Sequence, residues 1–407
     1  MSTQREVANQ RVIAIFEQAA PSVIDIQPAR TVIPGMADNL ILHAGPPIQW
    51  ENMVGPMQGA ILGAVVYEGL ADDLAGARRL CDSGALRFEP CHNHDSVAPM
   101  AGIISPSMPV WVIEDSVNQT RAYSNLNEGP GNTLRYGANS PAVIEGLRWM
   151  RDVLAPRLRE AILCLEQMPV FPLISEALLM GDECHSRNRA ALSLFVQALV
   201  PGLLSTTLSS KEIGEVLNFI IGRDYFFLNL TMASCKAAWL AAESIPDASI
   251  VTAFSRNGHE FSIRVQGQWF AAPSPVVDGH YFSAFSAEDA SRDIGDSAIT
   301  EASGLGGFAV SCAPAITDFI GGSVESRMQA MLDMYEITVT ESNRFSVPIL
   351  NGRGTPTGVE VFRVLETGIR PYITTGIAHK DPGVGQIGGG QVRAPIECFE
   401  NAVRSIT

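Results

Sequence analysis

Positive charge is scarce in this sequence. Of its 407 residues, 28 are Lys or Arg and 43 are Asp or Glu, which gives a net charge of −15. No basic cluster is available to follow a phosphate backbone, and an acidic surface repels one. We therefore expect no nucleic acid among the partners of this protein.

Long apolar runs are also lacking. The first residues, MSTQREVANQRV, contain no apolar core of the kind that a secretory signal needs. The most apolar long stretch, residues 190–207, contains Gln197 and Pro201, which is typical of a buried helix rather than a membrane span. We expect a cytoplasmic protein without a membrane segment.

Paired cysteines are missing as well. The seven cysteines are scattered and none forms a CxxC pair, which indicates reduced thiols and no structural zinc framework. The spacings GxxxxGK[ST] and GxGxxG are absent too, so neither nucleotide-binding fingerprint is present. We expect no cofactor.

Hydrophobic residues, in contrast, make up 46% of the chain, which is typical of a well-buried globular protein. The length exceeds what one ordinary core holds. Residues 1–139 mix strand-like and helical segments, residues 140–245 keep a helical apolar period, and residues 246–407 return to strands. The sequence predicts a mixed α/β (α+β) fold of several domains, with a central all-helical domain between two α/β regions.

Local signals place several elements. Residues 108–115 are strand-like, and residues 57–84 are predicted to be helical up to Gly84. Ser140-Pro141 begins a helix that Pro156 should kink or restart, and Ser209 with Glu212 forms a capping box. Asn257-Gly258 predicts the turn of a hairpin over residues 250–265.

One polar cluster lies at Cys91-His92-Asn93-His94-Asp95. On a strand, His92 and His94 would point the same way and could be metal ligands, but two ligands are too few. Imidazole also titrates near neutral pH, which suits proton transfer. Metal binding, proton transfer and a structural turn all remain open for this cluster.

Two further clusters contain acidic residues. Asp182 is expected to cap a helix with Arg187 in its first turns, where an anion can bind, although an ion pair between Glu183 and Arg187 is the simpler interpretation. Asp289, Asp293 and Asp296 have the spacing of one helix face. Glu301 and the glycines of residues 304–307 follow them.

A fourth cluster lies in two glycine-rich stretches, residues 351–358 and 373–390. They contain Arg353, Thr355, His379 and Lys380. Glycine loops with one or two cations can cradle an oxyanion. This is the best local candidate for binding phosphate or a carboxylate, although such loops also serve as plain turns.

Long stretches of the chain resemble one bacterial family over about residues 10–400. The stretches are HAGPPIQWENMVGPMQGAILGAVVYEG, FEPCHNHDSVAPMAGIISPSMPVW, RAYSNLNEGPGNTLRYGANSPAVIEGLRWM, FSAEDASRDIGDSAITEASGLGGFA and TTGIAHKDPGVGQIG. They resemble the AllG-like (YlbE-like) family of oxamate carbamoyltransferase subunits. The resemblance implies a mixed α/β fold, an FdrA-like partner subunit, and conversion of oxalurate plus phosphate into oxamate plus carbamoyl phosphate.

The expected function is therefore that of a carbamoyltransferase subunit without a metal, whose ligands are phosphate or carbamoyl phosphate and a small ureido acid. Assembly as a homo-oligomer stays open. The S-x-R-T and H-x-x-P elements of aspartate- and ornithine-type carbamoyltransferases do not occur in a comparable context, so another fold is expected. From the chemistry we predict two sets of residues. The catalytic set is His92, His94, Asp95 and His379, and the substrate-binding set is Arg353, Thr355, Lys380, Asp296, Glu301 and Arg187.

These predictions require the Cys91–Asp95 stretch and the glycine-rich C-terminal stretches to meet in one cleft, because proton-transfer groups and cations must reach the same substrate. Two other functions remain open. One is a metal-dependent amidohydrolase of a ureido or cyclic amide, with His92 and His94 as ligands. The other is a non-catalytic scaffold subunit of an FdrA-like complex.

Overall fold

The computed structural model describes the backbone of residues 2–406 and the side chains of residues 4–316 and 319–406. Helices account for 45% of the chain and strands for 23%, so the fold is mixed α/β, as predicted. The α-helices are α1 Ser2–Gln18, α2 Ala29–Val32, α3 Gly55–Tyr67, α4 Leu74–Asp82, α5 Pro141–Trp149, α6 Ala155–Leu163, α7 Val170–Leu179, α8 Arg189–Leu204, α9 Ser210–Ile221, α10 Leu228–Leu240, α11 Ile299–Ala302, α12 Thr317–Ile320, α13 Val324–Ile337, α14 Val361–Thr367 and α15 Ile396–Ile406.

Five small sheets contain the strands. The strands are β1 Pro21–Pro28, β2 Leu40–His43, β3 Arg87–Pro90, β4 Ile103–Ile104, β5 Pro109–Asp115, β6 Thr120–Asn125, β7 Met168–Pro169, β8 Ala253–Asn257, β9 Glu260–Val265, β10 Gln268–Pro273, β11 Asp278–Tyr281, β12 Ile294–Gly295, β13 Thr338–Val347, β14 Arg353–Val359, β15 Tyr372–Ala378 and β16 Gln386–Arg393. The sheet orders are β6-β5-β1-β7, β3-β2-β4, β10-β9-β8-β12, β11-β16-β15 and β13-β14.

The sheet β3-β2-β4 contains a parallel pair. β2 and β3 run parallel, with Leu40 opposite Arg87 and His43 opposite Pro90. Helices α3 and α4 make the crossover between the two strands. The loops that follow β2 and β3 therefore leave the same edge of this sheet, which in open α/β sheets is the usual place for a ligand.

Helices occupy most of residues 140–245, and the two-residue strand β7 pairs with β1 of the N-terminal sheet. Ser140 caps α5 through a bond from the Val143 amide, and Ser209 and Glu212 form the predicted capping box of α9. A π-helical segment, Met150–Leu154, precedes α6, which has a proline in its first turn. Pro156 thus restarts the helix, as predicted.

Helix α10 is the most deeply buried helix of this region. All twelve residues from Leu228 to Trp239 are buried, and the helix packs on β5 and β6 of the N-terminal sheet. Thr120 Oγ1 of β6 donates a hydrogen bond of 2.7 Å to the carbonyl of Ala237. The helical region and the N-terminal sheet therefore share one apolar core.

The C-terminal region contains the predicted hairpin. β8 and β9 pair antiparallel, and Gly258 has φ +80° in the turn between them. The prediction of one helix face for Asp289, Asp293 and Asp296 is wrong, because Asp293 and Asp296 flank the short strand β12. In the residues that the structure describes, no helix is long and apolar enough to cross a membrane.

Candidate functional site

The two histidines of the Cys91–Asp95 cluster diverge. Cys91–His94 is a 3-10 turn at the end of β3 rather than a strand, so the side chains do not share one side. His94 contacts the carbonyl of Pro34 through Nδ1 at 2.6 Å and a carboxylate oxygen of Glu89 through Nε2 at 2.8 Å. Both ring nitrogens of His94 are thus engaged by protein groups, which leaves neither of them open to a metal in this conformation.

His92 points into the interior. Its Nε2 lies 3.7 Å from Oδ1 of Asp296, and its ring meets Trp269 edge-on with 5.2 Å between ring centroids. Neither ring nitrogen has a hydrogen-bond partner among the described residues. Burial, together with the positive charges of Lys236 and Arg264, lowers the pKa of His92 well below its usual value, so the ring is neutral at neutral pH.

Asp296 connects three loops or strands. Its carboxylate accepts hydrogen bonds from the amides of Gly45 at 2.8 Å and Ala98 at 3.1 Å, and from the hydroxyl of Ser255. Burial raises the pKa of Asp296 to about 6, although these hydrogen bonds oppose the rise. The loops that follow β2 and β3 are thereby fixed to β8 and β12.

A charged cluster lies beside this turn. Lys236 of α10 is fully buried and pairs with Glu243, which also accepts from Arg264 Nη1 at 2.9 Å. Burial lowers the pKa of Lys236 and raises that of Asp95, the last residue of the turn. All three regions of the chain contribute to this cluster.

Glu301 belongs to a second buried cluster. Its Oε1 accepts from His185 Nδ1 at 2.8 Å, from the Gly307 amide at 3.0 Å and from the Thr374 amide at 3.2 Å. The neighbouring carboxylate of Glu183 accepts from the amide of Arg187 at 2.6 Å. Burial and the charge of Glu301 raise the pKa of Glu183 well above its usual value.

Asp182 caps helix α8 as predicted, but the prediction that Arg187 lies in the first turns of this helix is wrong. Residues 182–188 form a compact turn, and α8 begins at Arg189. Within the turn, Asp182 pairs with Arg187 Nε at 3.3 Å, and its carboxylate also accepts from the Ala191 amide in the first turn of α8 at 2.8 Å. Arg187 is therefore held by groups of its own turn.

The structure places the C-terminal candidates elsewhere. Residues 353–359, 372–378 and 386–393 form strands, so the predicted loop character holds only for the turn at Asn351–Gly352 and for the segment around Lys380. Arg353 pairs with Glu341 at 2.7 Å and lies over the Tyr335 ring, with its side chain 42% exposed. Thr355 is fully buried on β14.

His379 and Lys380 also have their own partners. His379 Nδ1 accepts from the Asp381 amide at 2.9 Å, and its ring contacts Phe285. Lys380 Nζ donates to the Glu288 carbonyl at 2.6 Å. Of the predicted site residues, His92 thus lies close to Asp296, and Arg187 lies close to the cluster that contains Glu301. The convergence of all the segments on one cleft stays a prediction.

Within the part of the chain that the structure describes, no group of three or more His, Cys, Asp or Glu side chains is arranged to hold a metal ion. The structure instead contains a different polar site, which no local sequence pattern predicted. Its centre is Glu128, in the loop that connects β6 with α5.

Glu128 lies in a cleft with a volume of about 260 Å³, which we call the Glu128 cleft. The residues that line it are Glu128, Asn132, Thr133, Ser140, Ala142, Val143, Gly146, Leu147, Met150, Phe219 and Arg223. Glu128 Oε2 accepts from the Leu134 amide at 2.6 Å. Burial outweighs this bond and raises the pKa of Glu128 to about 7, which suits a general acid or base at neutral pH.

Arg223 brings positive charge to the same cleft. Its Nε donates to the Glu128 carbonyl and its Nη1 to the Phe219 carbonyl, each at 3.0 Å, while the guanidinium lies 3.5 Å from the centre of the Phe219 ring. These contacts fix the guanidinium in place at the wall of the cleft. A cation beside a carboxyl group of shifted pKa is a combination typical of catalytic sites.

The loop of residues 126–139 is fixed by all three regions of the chain. Gly131 and Gly137 have φ values of +91° and +85°, which glycine adopts without strain. Their carbonyls accept from the amides of Gln386 at 3.1 Å and Gly383 at 2.8 Å. Asn127 Nδ2 donates to Asn229 of α10 at 2.7 Å. In the sequence, the only local indication of this site is that Glu128 lies in a loop among glycines, a proline and asparagines.

The model of the family described as "Oxamate carbamoyltransferase subunit AllG" matches residues 86–297, which include both Glu128 and the His92–Asp296 pair. The oxamate carbamoyltransferase subunit AllG of Escherichia coli K12 is 44% identical over 412 residues, with 100% of this chain and 98% of the relative covered. The chain therefore belongs to the AllG family.

Two further proteins are similar to this chain. The uncharacterized protein YahG of Escherichia coli K12 is 45% identical over 399 residues, which cover 97% of this chain and 84% of the relative. A crystal structure of a conserved protein of unknown function from Enterococcus faecalis V583 has a TM-score of 0.97 and 44% identity, with 99% of this chain and 97% of that chain covered.

Proposed function

We propose that this protein is a subunit of a carbamoyltransferase that interconverts oxalurate plus phosphate with oxamate plus carbamoyl phosphate. The observation that carries the proposal is the match to the Escherichia coli oxamate carbamoyltransferase subunit over essentially the whole of both chains, at 44% identity. In the proposed enzyme the chain acts together with an FdrA-like subunit.

In this reaction an oxygen of phosphate attacks the ureido carbonyl carbon of oxalurate. The bond from that carbon to the nitrogen of the oxamate part breaks, and the proton lost by phosphate ends on this nitrogen. Because both reactants are anions, about 4 kcal/mol of repulsion arises at ~4 Å and an effective dielectric near 20. The site must therefore supply local cations and one group that relays a proton.

We assign these roles to the Glu128 cleft. Glu128, with a pKa of about 7, is proposed to give a proton to the departing nitrogen, which it recovers from phosphate. Arg223 is proposed to pair with the carboxylate of oxalurate, because a guanidinium matches a carboxylate in two parallel hydrogen bonds. Asn132 and Thr133, at the same wall, offer groups for the ureido moiety.

The test compares phosphate-dependent cleavage of oxalurate by the wild-type protein and by Glu128→Gln, each alone and with an FdrA-like subunit. We expect kcat to fall by about 10²–10⁴-fold, with little change in KM, since a lost general acid affects the transition state. Glu145→Gln is the matched control, because Glu145 is exposed on α5 beside the cleft. Unchanged kcat in Glu128→Gln would refute the assignment.

The same experiment separates the enzyme from a scaffold. If this chain is only a scaffold, Glu128→Gln supports full turnover in the assembled complex. If it contributes the catalytic groups, the assembled complex that contains Glu128→Gln is inactive while still assembling. Size-exclusion chromatography of both complexes distinguishes lost assembly from lost chemistry.

A further inference from the structure

A second cleft lies in the C-terminal region, with a volume of about 380 Å³. Its walls are the ends of β11, β15 and β16, the loop at Gly321–Gly322 and the start of α13. We call it the arginine cleft, because three of its lining residues are arginines and one, Asp278, is an acid. It shares no lining residue with the Glu128 cleft.

The sheet places Arg393, and Arg370 lies next to it in the segment that leads into β15. Arg393 ends β16 opposite Tyr372 of β15, and its guanidinium lies 4.8 Å from the centre of the Tyr372 ring. Its Nη1 donates to the Arg370 carbonyl at 3.0 Å. Arg370 itself is exposed at the rim. Burial lowers the pKa of Arg393. The negative charge of Asp333 raises it, and the positive charge of Arg370 lowers it.

The third arginine shapes the wall. Arg327 is buried in α13, and its Nη1 donates to the Gly321 carbonyl at 2.8 Å. Gly321 and Gly322 have φ values of +78° and +79°, a conformation that side chains rarely permit. The backbone can therefore approach a ligand closely here. Because Arg327 is engaged in the wall, we assign the positive charge that would bind a ligand to Arg370 and Arg393.

The charge balance of this cleft is unusual for the protein. The chain carries −15 overall, yet here arginines are gathered in one concave surface. The acid groups nearby are Asp278 and Asp333, which accept hydrogen bonds from Gln391 at 3.4 Å and Gln329 at 2.8 Å. The charge of Asp333 acts on Arg393, but among the described residues neither acid forms an ion pair with Arg370 or Arg393. Like charges held together repel unless a counter-charge joins them.

We propose that the arginine cleft binds a phosphate group, as a second anion site independent of the carbamoyl-transfer chemistry assigned above. A tetrahedral dianion accepts paired hydrogen bonds from both Arg370 and Arg393, which present fixed donor forks. The cleft is several times larger than a phosphate ion, so the phosphate can be free or can belong to a small phosphate ester or anhydride.

The test is isothermal titration calorimetry of the full chain with inorganic phosphate and, separately, with carbamoyl phosphate. We expect Arg370→Gln and Arg393→Gln each to weaken binding of the accepted ligand by roughly tenfold or more. Arg404→Gln, an exposed arginine of α15, is the matched control and should bind as the wild type does. A preference for one of the two ligands identifies the source of the phosphate group.

Glu128→Gln separates the two proposals, because the part of the binding that Arg370→Gln weakens should persist in Glu128→Gln even where turnover is abolished. Should Arg393→Gln fail to fold, Arg370→Gln decides, since Arg370 lies at the exposed rim. Binding of phosphate and carbamoyl phosphate within twofold of wild type in folded Arg370→Gln would overturn the proposal. So would the absence of heat from either ligand at millimolar concentration with the wild-type protein.

Discussion

His92 and Asp296 face each other in the interior with 3.7 Å between Nε2 and Oδ1, although they come from the two different α/β regions. Asp296 also holds the amides of Gly45 and Ala98. The pair therefore lies where the loops after two parallel strands meet the C-terminal sheet. We call this arrangement the Asp296 clamp, because Asp296 joins the N-terminal loops at Gly45 and Ala98 to the C-terminal sheet.

The clamp predicts a large stability loss on truncation. Asp296→Ala leaves two buried amides without a partner, each of which costs about 1–3 kcal/mol. We expect the free energy of unfolding to fall by about 2–5 kcal/mol, measured by urea denaturation. Asp289→Ala removes a half-buried acid of the same segment that accepts only from the amide and hydroxyl of Ser286, and it should lose about 1 kcal/mol or less. Equal losses in both variants would contradict the clamp.

His92 can be tested for catalysis and structure together. The sequence assigns it proton transfer, but the ring is buried, neutral and packed on Trp269. We expect His92→Gln to lower the melting temperature while kcat stays within about threefold of the wild type, a change of less than 1 kcal/mol in the barrier. A folded variant with normal melting and a hundredfold lower kcat would instead establish His92 as catalytic.

Glu128 should make stability depend on pH. Its pKa is raised from 4.5 to about 7 in the folded protein, so the folded state holds the proton more tightly than the unfolded state does. This contribution is complete below pH 4.5 and is lost as the pH rises to about 7. Relative to Glu128→Gln, the wild type should lose up to about 3 kcal/mol across this window.

The measurement for Glu128 is urea denaturation of both proteins at intervals from pH 4.5 to 8. The difference between them should change most steeply between the two pKa values of 4.5 and about 7, and should level off about one pH unit above the folded pKa, where the carboxyl is ionised in both states. Glu145→Gln serves as the control, because its carboxyl is exposed. A difference between wild type and Glu128→Gln that is constant over the whole range would show that the carboxyl titrates normally.

The buried pair of Lys236 and Glu243 predicts a strong asymmetry between single and double variants. Glu243→Leu leaves the ammonium of Lys236 buried without its counter-charge. We expect the free energy of unfolding to fall by about 3–5 kcal/mol, the usual cost of breaking a buried ion pair in this way. The double variant Lys236→Met with Glu243→Leu should recover a large part of the loss. Chemical denaturation of the wild type, Glu243→Leu and the double variant measures the three free energies of unfolding. A double variant no more stable than Glu243→Leu would contradict the pairing argument.

Sequence signals that act over a few residues located several elements correctly. The Ser140-Pro141 start, the Ser209–Glu212 box and the Asn257-Gly258 turn all depend on bonds between near neighbours. Such bonds can be inferred from spacing because both partners are visible in one short stretch.

The errors arose where distant partners decide the conformation. Asp293 binds Arg256 with 2.8 Å between carboxylate and Nε, and Asp296 binds two remote amides. These contacts replace the helix that the spacing alone favoured. Glu128 was missed for a related reason, since its shifted pKa results from burial between regions far apart in the chain. Burial of this kind is a property of the packed chain and has no local spacing pattern.

The burial of Leu228–Trp239 of α10, which packs against β5 and β6, has an evolutionary consequence. A substitution on this helix must fit side chains of the N-terminal sheet as well as those of its own helical neighbours. Exchanging residues 140–245 between two relatives would therefore pack the α10 side chains of one protein against the β5 and β6 side chains of the other. The helical region and the sheet must vary together, and a hybrid chain should fold only when both are inherited from the same parent.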